Sequence, residues 1–168
     1  MKIIPLLSAA ALATAVCHPA QAGDAPCTAA EYRQFNFWFG NFEVRTADDK
    51  LAGHNVIEPT LGGCAFTEQW TGAGGSQGRS LNFYDRSDGK WHQVWIDDHG
   101  RPLYLVGGFD GTSMVLQGET RGGDGNVRMQ RIAWTPLPDG RVRQHWQSST
   151  DAGTSWSTAF DGYYTRRP

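Results

Sequence analysis

Asp139-Gly140-Arg141-Val142-Arg143-Gln144-His145-Trp146 repeats an earlier phrase, Asp88-Gly89-Lys90-Trp91-His92-Gln93-Val94-Trp95, and both read D-G-(K or R)-x-x-Q-x-W. Asp-Gly supplies the positive φ angles of a tight hairpin at little steric cost, so each copy marks a reversal between two antiparallel strands. The residues that follow form a strand. Its side chains alternate with period two, which places Gln93 with Trp95, and Gln144 with Trp146, on one face. The opposite face of the second copy carries Arg141, Arg143, His145 and Gln147, a run too polar to bury. Val142, Gln144, Trp146 and Ser148 therefore point inward, and Trp91, Gln93 and Trp95 do so by analogy. An interior that is aromatic yet carries amides suits a ligand cavity. The plainer reading is a packed core in which each Gln satisfies an indole N–H or a backbone group.

Outward from these strands, the chain begins with a leader-like segment over residues 1–22. Lys2 supplies a positive start, an apolar run follows, and Ala20-Gln21-Ala22 matches an A-x-A cleavage site. The expected organisation is a signal peptide over 1–22 and one domain over 23–168, in a periplasmic or secreted protein with no membrane span. Of the 3 cysteines, Cys17 falls in the leader. Cys27 and Cys64 remain as a pair in an oxidising compartment, where a disulfide is the natural inference. With 15 Lys and Arg against 17 Asp and Glu, the charge is nearly balanced and gives no basis for a nucleic-acid partner. The 21 glycines and 7 tryptophans, without long apolar periodicities, point to an all-β chain rich in turns.

One short helix is expected near the start. Thr28-Ala29-Ala30-Glu31 reads as a capping box, and Phe35, Phe37, Trp38 and Phe39 are too many aromatics for an exposed helix, so it should plug an open end of the sheet. Beyond Gly40 the turn signals divide the chain into strands near 42–46, 53–59, 64–71, 79–85, 91–97, 103–107, 113–120, 127–135, 142–150 and 156–165. Ten strands on short connections form an antiparallel up-and-down meander, and closure into a barrel leaves no exposed edge.

Other motifs carry less chemistry. Ser149-Thr150-Asp151-Ala152-Gly153-Thr154-Ser155-Trp156 is similar to the Asp-box turn of sialidase propellers, and one copy in a chain of this length reads as a structural turn. Gly72-Ala73-Gly74-Gly75-Ser76-Gln77-Gly78 lacks the Gly-Lys-Ser/Thr ending of a phosphate loop and reads as a loop at a barrel mouth. His54, His92, His99 and His145 show no metal-ligand spacing, and no cofactor motif or nucleophile elbow stands out, so neither metal ligands nor catalytic residues are assigned.

Glu68 and Trp70 repeat the polar-x-Trp spacing on another strand. A two-residue turn at Asp88-Gly89 would set Tyr84 opposite Gln93 and Asn82 opposite Trp95, on the same side of the sheet. At Asp139-Gly140 the same count brings Arg131 inward, whereas a loop longer by one residue brings Ile132 and Trp134 inward instead. The expected ligand-binding set is thus Glu68, Trp70, Asn82, Tyr84, Gln93, Trp95, Arg131, Gln144 and Trp146.

Phe35-Asn36-Phe37-Trp38-Phe39-Gly40-Asn41-Phe42-Glu43-Val44, the Gln-x-Trp strands, the turn at Pro138-Asp139-Gly140 and the Asp-box-like segment together resemble a family of uncharacterised bacterial exported proteins with a lipocalin-like barrel. Gly40-Asn41-Phe42 is similar to the G-x-W step of calycins, with Phe42 in the place of the Trp that closes the barrel base. The resemblance implies the fold and the compartment; it carries no activity. The expectation is an exported protein holding a small, partly apolar molecule. The alternatives are an enzyme using Glu68 as acid or base, a haem-binding barrel like nitrobindin, and a barrel filled by its own tryptophans.

Overall fold

Every strand pairs with its sequence neighbours, and the last returns to the first. The computed structural model describes residues 26–168; the expected leader lies outside the described residues. The strands are β1 (Gly40–Thr46), β2 (Leu51–Thr60), β3 (Ala65–Gly72), β4 (Gln77–Asp85), β5 (Lys90–Asp97), β6 (Pro102–Phe109), β7 (Met114–Arg121), β8 (Val127–Pro136), β9 (Val142–Ser149) and β10 (Ser157–Arg166). They form a closed antiparallel barrel, sealed where Phe42 to Thr46 of β1 pair with Arg166 to Gly162 of β10. The meander and its ten strands follow the turn signals of the sequence. Among the described residues no helix is long and apolar enough to cross a membrane.

The expected short helix is present, as two 3-10 turns, Ala30–Arg33 and Asn36–Trp38. The aromatic spacing explains the 3-10 form. Tyr32, Phe35 and Trp38 recur every three residues, the period at which 3-10 side chains eclipse, and all three are buried. The segment does plug one end of the barrel. Phe35 stacks on Trp38 with ring centroids 5.1 Å apart and meets Phe66, Trp91 and Trp134 edge-on. Arg166 lies over Phe42, 4.9 Å from the ring centroid, and donates to the carbonyls of Phe37 and Phe39, clamping the plug to the closing strand. The Cys27–Cys64 disulfide spans 37 residues and ties the chain before the plug to the β2–β3 connection.

Two hairpin registers differ from a two-residue turn. In β4–β5, Asp85 pairs with Lys90, so Asn82 lies opposite Gln93 and Ser80 opposite Trp95. This displacement of two residues preserves which side chains face inward. In β8–β9, Pro136 pairs with Val142, Ile132 with Trp146 and Trp134 with Gln144. That is the longer of the two loops the sequence allows, closed by Leu137 N–H donating to Arg141 O at 2.8 Å. Its odd displacement exchanges the faces of β8: Ile132 and Trp134 enter the core. Arg131 is turned to the outside, where it donates to Gln147 Oε1 at 2.8 and 3.2 Å and lies over Trp156, 4.1 Å from the ring centroid. Arg131 is therefore not a cavity residue.

The Asp-box-like segment is the β9–β10 turn. Asp151 accepts from Ser155 N–H at 2.9 Å and from its hydroxyl at 2.6 Å, and Trp156 Nε1 donates to Gly153 O at 3.0 Å.

Candidate functional site

Above the plug the barrel holds a chamber of about 250 Å³, walled by Trp70, Trp95, Leu103, Ile132, Trp146 and Phe160, with Glu68, Gln93, Gln144 and Tyr164 as its polar lining. A wider hollow of about 930 Å³ at the mouth is bordered by Ser76 and Gln77 after β3, by 97–104 and by 119–123. Trp70, Trp95, Leu103 and Trp146 border both spaces and form the collar between them.

Inward-facing glycines seat two of the chamber's rings, Trp95 and Phe160. A Cβ on Gly78 would lie 2.0 Å from Trp95 Cζ2, and one on Gly162 would lie 2.4 Å from Phe160 Cε1. The indole and the phenyl ring lie flat over backbone that has no side chain, which keeps them against the wall and leaves the chamber open.

Beneath the collar runs a chain of hydrogen bonds whose direction one group dictates. Glu68, only 4% exposed, accepts from Asn55 Nδ2 and from Ser80 Oγ, each at 2.7 Å. An ionised carboxylate only accepts, so Ser80 must donate to it and in turn accepts from Asn82 Nδ2 at 2.8 Å. Asn82 Oδ1 then accepts from Gln93 Nε2 at 2.8 Å. On the other side Asn55 Nδ2 reaches the Tyr164 hydroxyl at 3.4 Å, and Tyr164 donates to Gln144 Oε1. The chain thus crosses β5, β4, β3, β2, β10 and β9. It leaves Gln93 presenting a carbonyl oxygen and Gln144 presenting an amide N–H₂ at the chamber, neither with a partner among the described residues. Amide orientations follow from hydrogen-bond logic, and here the carboxylate anchors them.

Burial pushes the Glu68 carboxyl up to about 7 even though the Asn55 and Ser80 hydrogen bonds pull it down. Burial, with the nearby Glu68 charge, raises the Tyr164 hydroxyl well above its ordinary value and keeps it neutral. Among the described residues Glu68 has no Lys, Arg or His within ion-pair distance.

Of the residues singled out in the sequence, Glu68, Trp70, Gln93, Trp95, Gln144 and Trp146 border the chamber. Asn82 is fully buried behind it, as a link between Gln93 and Ser80. Tyr84 lies at the plug, with ring centroids 5.4 Å from Tyr32 and 6.1 Å from Trp91. Sequence reasoning missed Asn55, Ser80, Leu103, Phe160 and Tyr164, and offered Ile132 only through the longer of the two β8–β9 loops. The alternation Phe160-x-Gly162-x-Tyr164 was a usable signal for the β10 contribution; Asn55, between apolar Val56 and polar His54, offered none.

Carboxylates and a histidine also converge at two hairpin tips, Asp85/Asp88/His92 and Asp97/Asp98/His99. There the carboxylates hold the turns: Asp85 and Asp88 accept from Ser87 and Lys90 N–H, and Asp97 from His99 and Arg101 N–H. Neither tip borders the inner chamber.

The class defined by these features is a ten-stranded antiparallel barrel, consistent with the calycin-like plan, closed at one end by aromatics and hollow at the other. No protein-family model and no curated protein matches the chain.

Proposed function

We propose that the protein is an exported binding protein that holds a small, partly apolar molecule in the inner chamber. One observation carries the reading: a hollow walled by three tryptophans whose floor offers an unpartnered acceptor on Gln93 and an unpartnered donor on Gln144. Apolar walls with a few convergent polar groups are the usual make-up of a small-molecule site. A core meant only to be packed would close the hollow. At about 250 Å³ the chamber suits a one- or two-ring molecule and lies just under the range of roughly 300–1,000 Å³ for drug-sized ligands. The Cys27–Cys64 bridge supports an oxidising, extracytoplasmic compartment, and residues 1–22 then serve as the leader. The calycin-like architecture supports membership in the exported lipocalin-like family that the sequence resembles.

Native mass spectrometry of the protein purified from its own host, with an absorbance spectrum alongside, tests this. A co-purified small molecule, released by Trp146→Ala, is the expected result. A protein that is bare from its host and takes up no apolar probe refutes the reading.

A second reading, turnover of the same ligand with Glu68 as acid or base, is favoured by the carboxyl being poised at about 7. Glu68→Gln separates the two, since binding kept with turnover lost selects the enzyme. The haem alternative gains no support from the histidines, because none of those among the described residues borders the inner chamber.

A further inference from the structure

We propose that the molecule taken by the chamber is an organic cation: a flat aromatic or aliphatic body bearing a protonated amine that pairs with Glu68. The inference deepens the binding reading and rests on it.

The central observation is a charge imbalance. Glu68 is buried, borders the chamber and has no Lys, Arg or His within ion-pair distance among the described residues, and both its oxygens are hydrogen-bonded only to neutral donors, Asn55 and Ser80. A buried carboxylate lacking a counter-charge is costly, and a cation arriving in the chamber removes that cost while gaining a charge-assisted hydrogen bond. The groups packed around it offer no internal substitute. Asn55 and Ser80 do not titrate and Tyr164 is held neutral, while Arg101, Arg121 and Arg128 border the outer hollow and not the inner chamber, so above the carboxyl's own titration a bound cation would supply the missing counter-charge.

The rest of the lining agrees with a cation in kind and position. The direction of the hydrogen-bond chain turns the Gln93 carbonyl oxygen toward the chamber, a second acceptor for an ammonium that has three donors and no acceptor. Trp70, Trp95 and Trp146 border the approach, and an indole face attracts cations through its negative quadrupole; at the mouth outside them Asp97, Asp98 and Glu119 stand with His99, Arg101, Arg121 and Arg128. An anion would meet Glu68 and the Gln93 oxygen head-on. The Gln144 amide N–H₂ is left for a hydroxyl, ether or carbonyl elsewhere on the ligand.

The test uses three indoles that differ only in their side-chain head: tryptamine, cationic; indole-3-ethanol, neutral; and indole-3-acetate, anionic. Each is titrated calorimetrically into the intact, disulfide-bonded protein at pH 8 and into the Glu68→Gln variant. The expected result is tryptamine at least tenfold tighter than the alcohol, no measurable acetate binding, and a preference for tryptamine that disappears in Glu68→Gln while alcohol binding persists. At pH 6 tryptamine binding should release protons, read as a binding enthalpy that changes with the ionisation enthalpy of the buffer. Equal affinities for the amine and the alcohol, or tighter acetate binding, overturn the cation while leaving the binding reading in place. Failure of all three indoles and of a general apolar dye to bind overturns both. Because the comparison of the three heads is made on the unmodified protein, it does not depend on the variant folding.

Discussion

The two ends of the barrel use the same residue type with opposite results. At the plug, Trp38, Trp91 and Trp134 are 0%, 2% and 0% exposed and interlock with Phe35 and Phe66. At the mouth, Trp70, Trp95 and Trp146 stand around open space. The strands do not explain this, since Trp91 and Trp95 lie on the same face of β5. The difference comes from the 3-10 segment, which delivers Phe35 and Trp38 into one end and fills it. One end is packed for stability, and the other is left unfilled by the side chains of the described residues.

The strongest way to break that contrast is to truncate matched tryptophans. Trp38→Ala empties space inside interlocked rings and is expected to lower unfolding free energy by about 3–5 kcal/mol. Trp146→Ala, beside existing space, should lower it by under about 2 kcal/mol, chiefly by leaving its acceptor Gln130 without the 2.7 Å bond from Trp146 Nε1. It should abolish ligand retention. Urea unfolding of the two variants checks this, and equal losses would mean that the ends are not differently packed.

Removing the Cys27–Cys64 bridge attacks the plug from outside. The 37-residue separation corresponds to about 4 kcal/mol by loop entropy. For a domain of this size that is a melting-temperature drop of roughly 10 °C on reduction. The chamber residues lie at the other side of the hydrogen-bond chain, so probe affinity well below the new transition should change little. Loss of affinity in step with reduction would show that plug and chamber are one unit.

Glu68→Gln sharpens the comparison in pH. The folded carboxyl titrates at about 7 against an ordinary 4.5. Below 4.5 both folded and unfolded chains hold the proton, and the stability contribution is fully present. Between 4.5 and about 7 the unfolded chain releases the proton while the folded chain keeps it, so stability falls as pH rises and levels off above about 7. The total decline is on the order of 3 kcal/mol. The variant lacks this decline, so its stability relative to the parent should rise across that window, as urea midpoints at pH 4.5 and 8 will read. Parallel profiles would mean that Glu68 is solvated in the folded state.

What the sequence made legible follows the physics of each element. The strands and their closure were readable because Asp-Gly and glycine clusters punctuate them, and Glu68, Trp70, Gln93, Trp95, Gln144 and Trp146 were placed by period-two alternation within single strands. Relations between strands were not readable. Asp139-Gly140 occurs in both allowed loops, and one residue of loop length decides whether Arg131 or Trp134 enters the barrel. Asn55 and Tyr164 acquire their roles only by meeting Glu68 and Gln144 across the barrel, at separations that no local pattern encodes. The short helix was readable from its local start signal, and its 3-10 form follows from the three-residue aromatic repeat once those rings have a core to enter.

Adding a single methyl group has the clearest bearing on why the mouth stays open. Gly78→Ala places a Cβ where it would lie 2.0 Å from Trp95 Cζ2, and the backbone beneath it is held by pairing to both β3 and β5. The indole is the part that can move, and the wall being occupied, its free direction is into the chamber. Destabilisation of about 1–3 kcal/mol is expected from the overpacking, together with loss of probe binding and a shift in tryptophan fluorescence as Trp95 changes surroundings. Gly108→Ala is the matched control: it is also a strand glycine, but a Cβ there meets nothing within 4 Å, so stability should stay within about 0.5 kcal/mol and binding should be unchanged. If both alanines bind the probe as the parent does, the chamber is kept open by something other than the glycine seats. If only Gly78→Ala loses binding, the absence of one side chain at that wall is what separates a hollow end from a packed one.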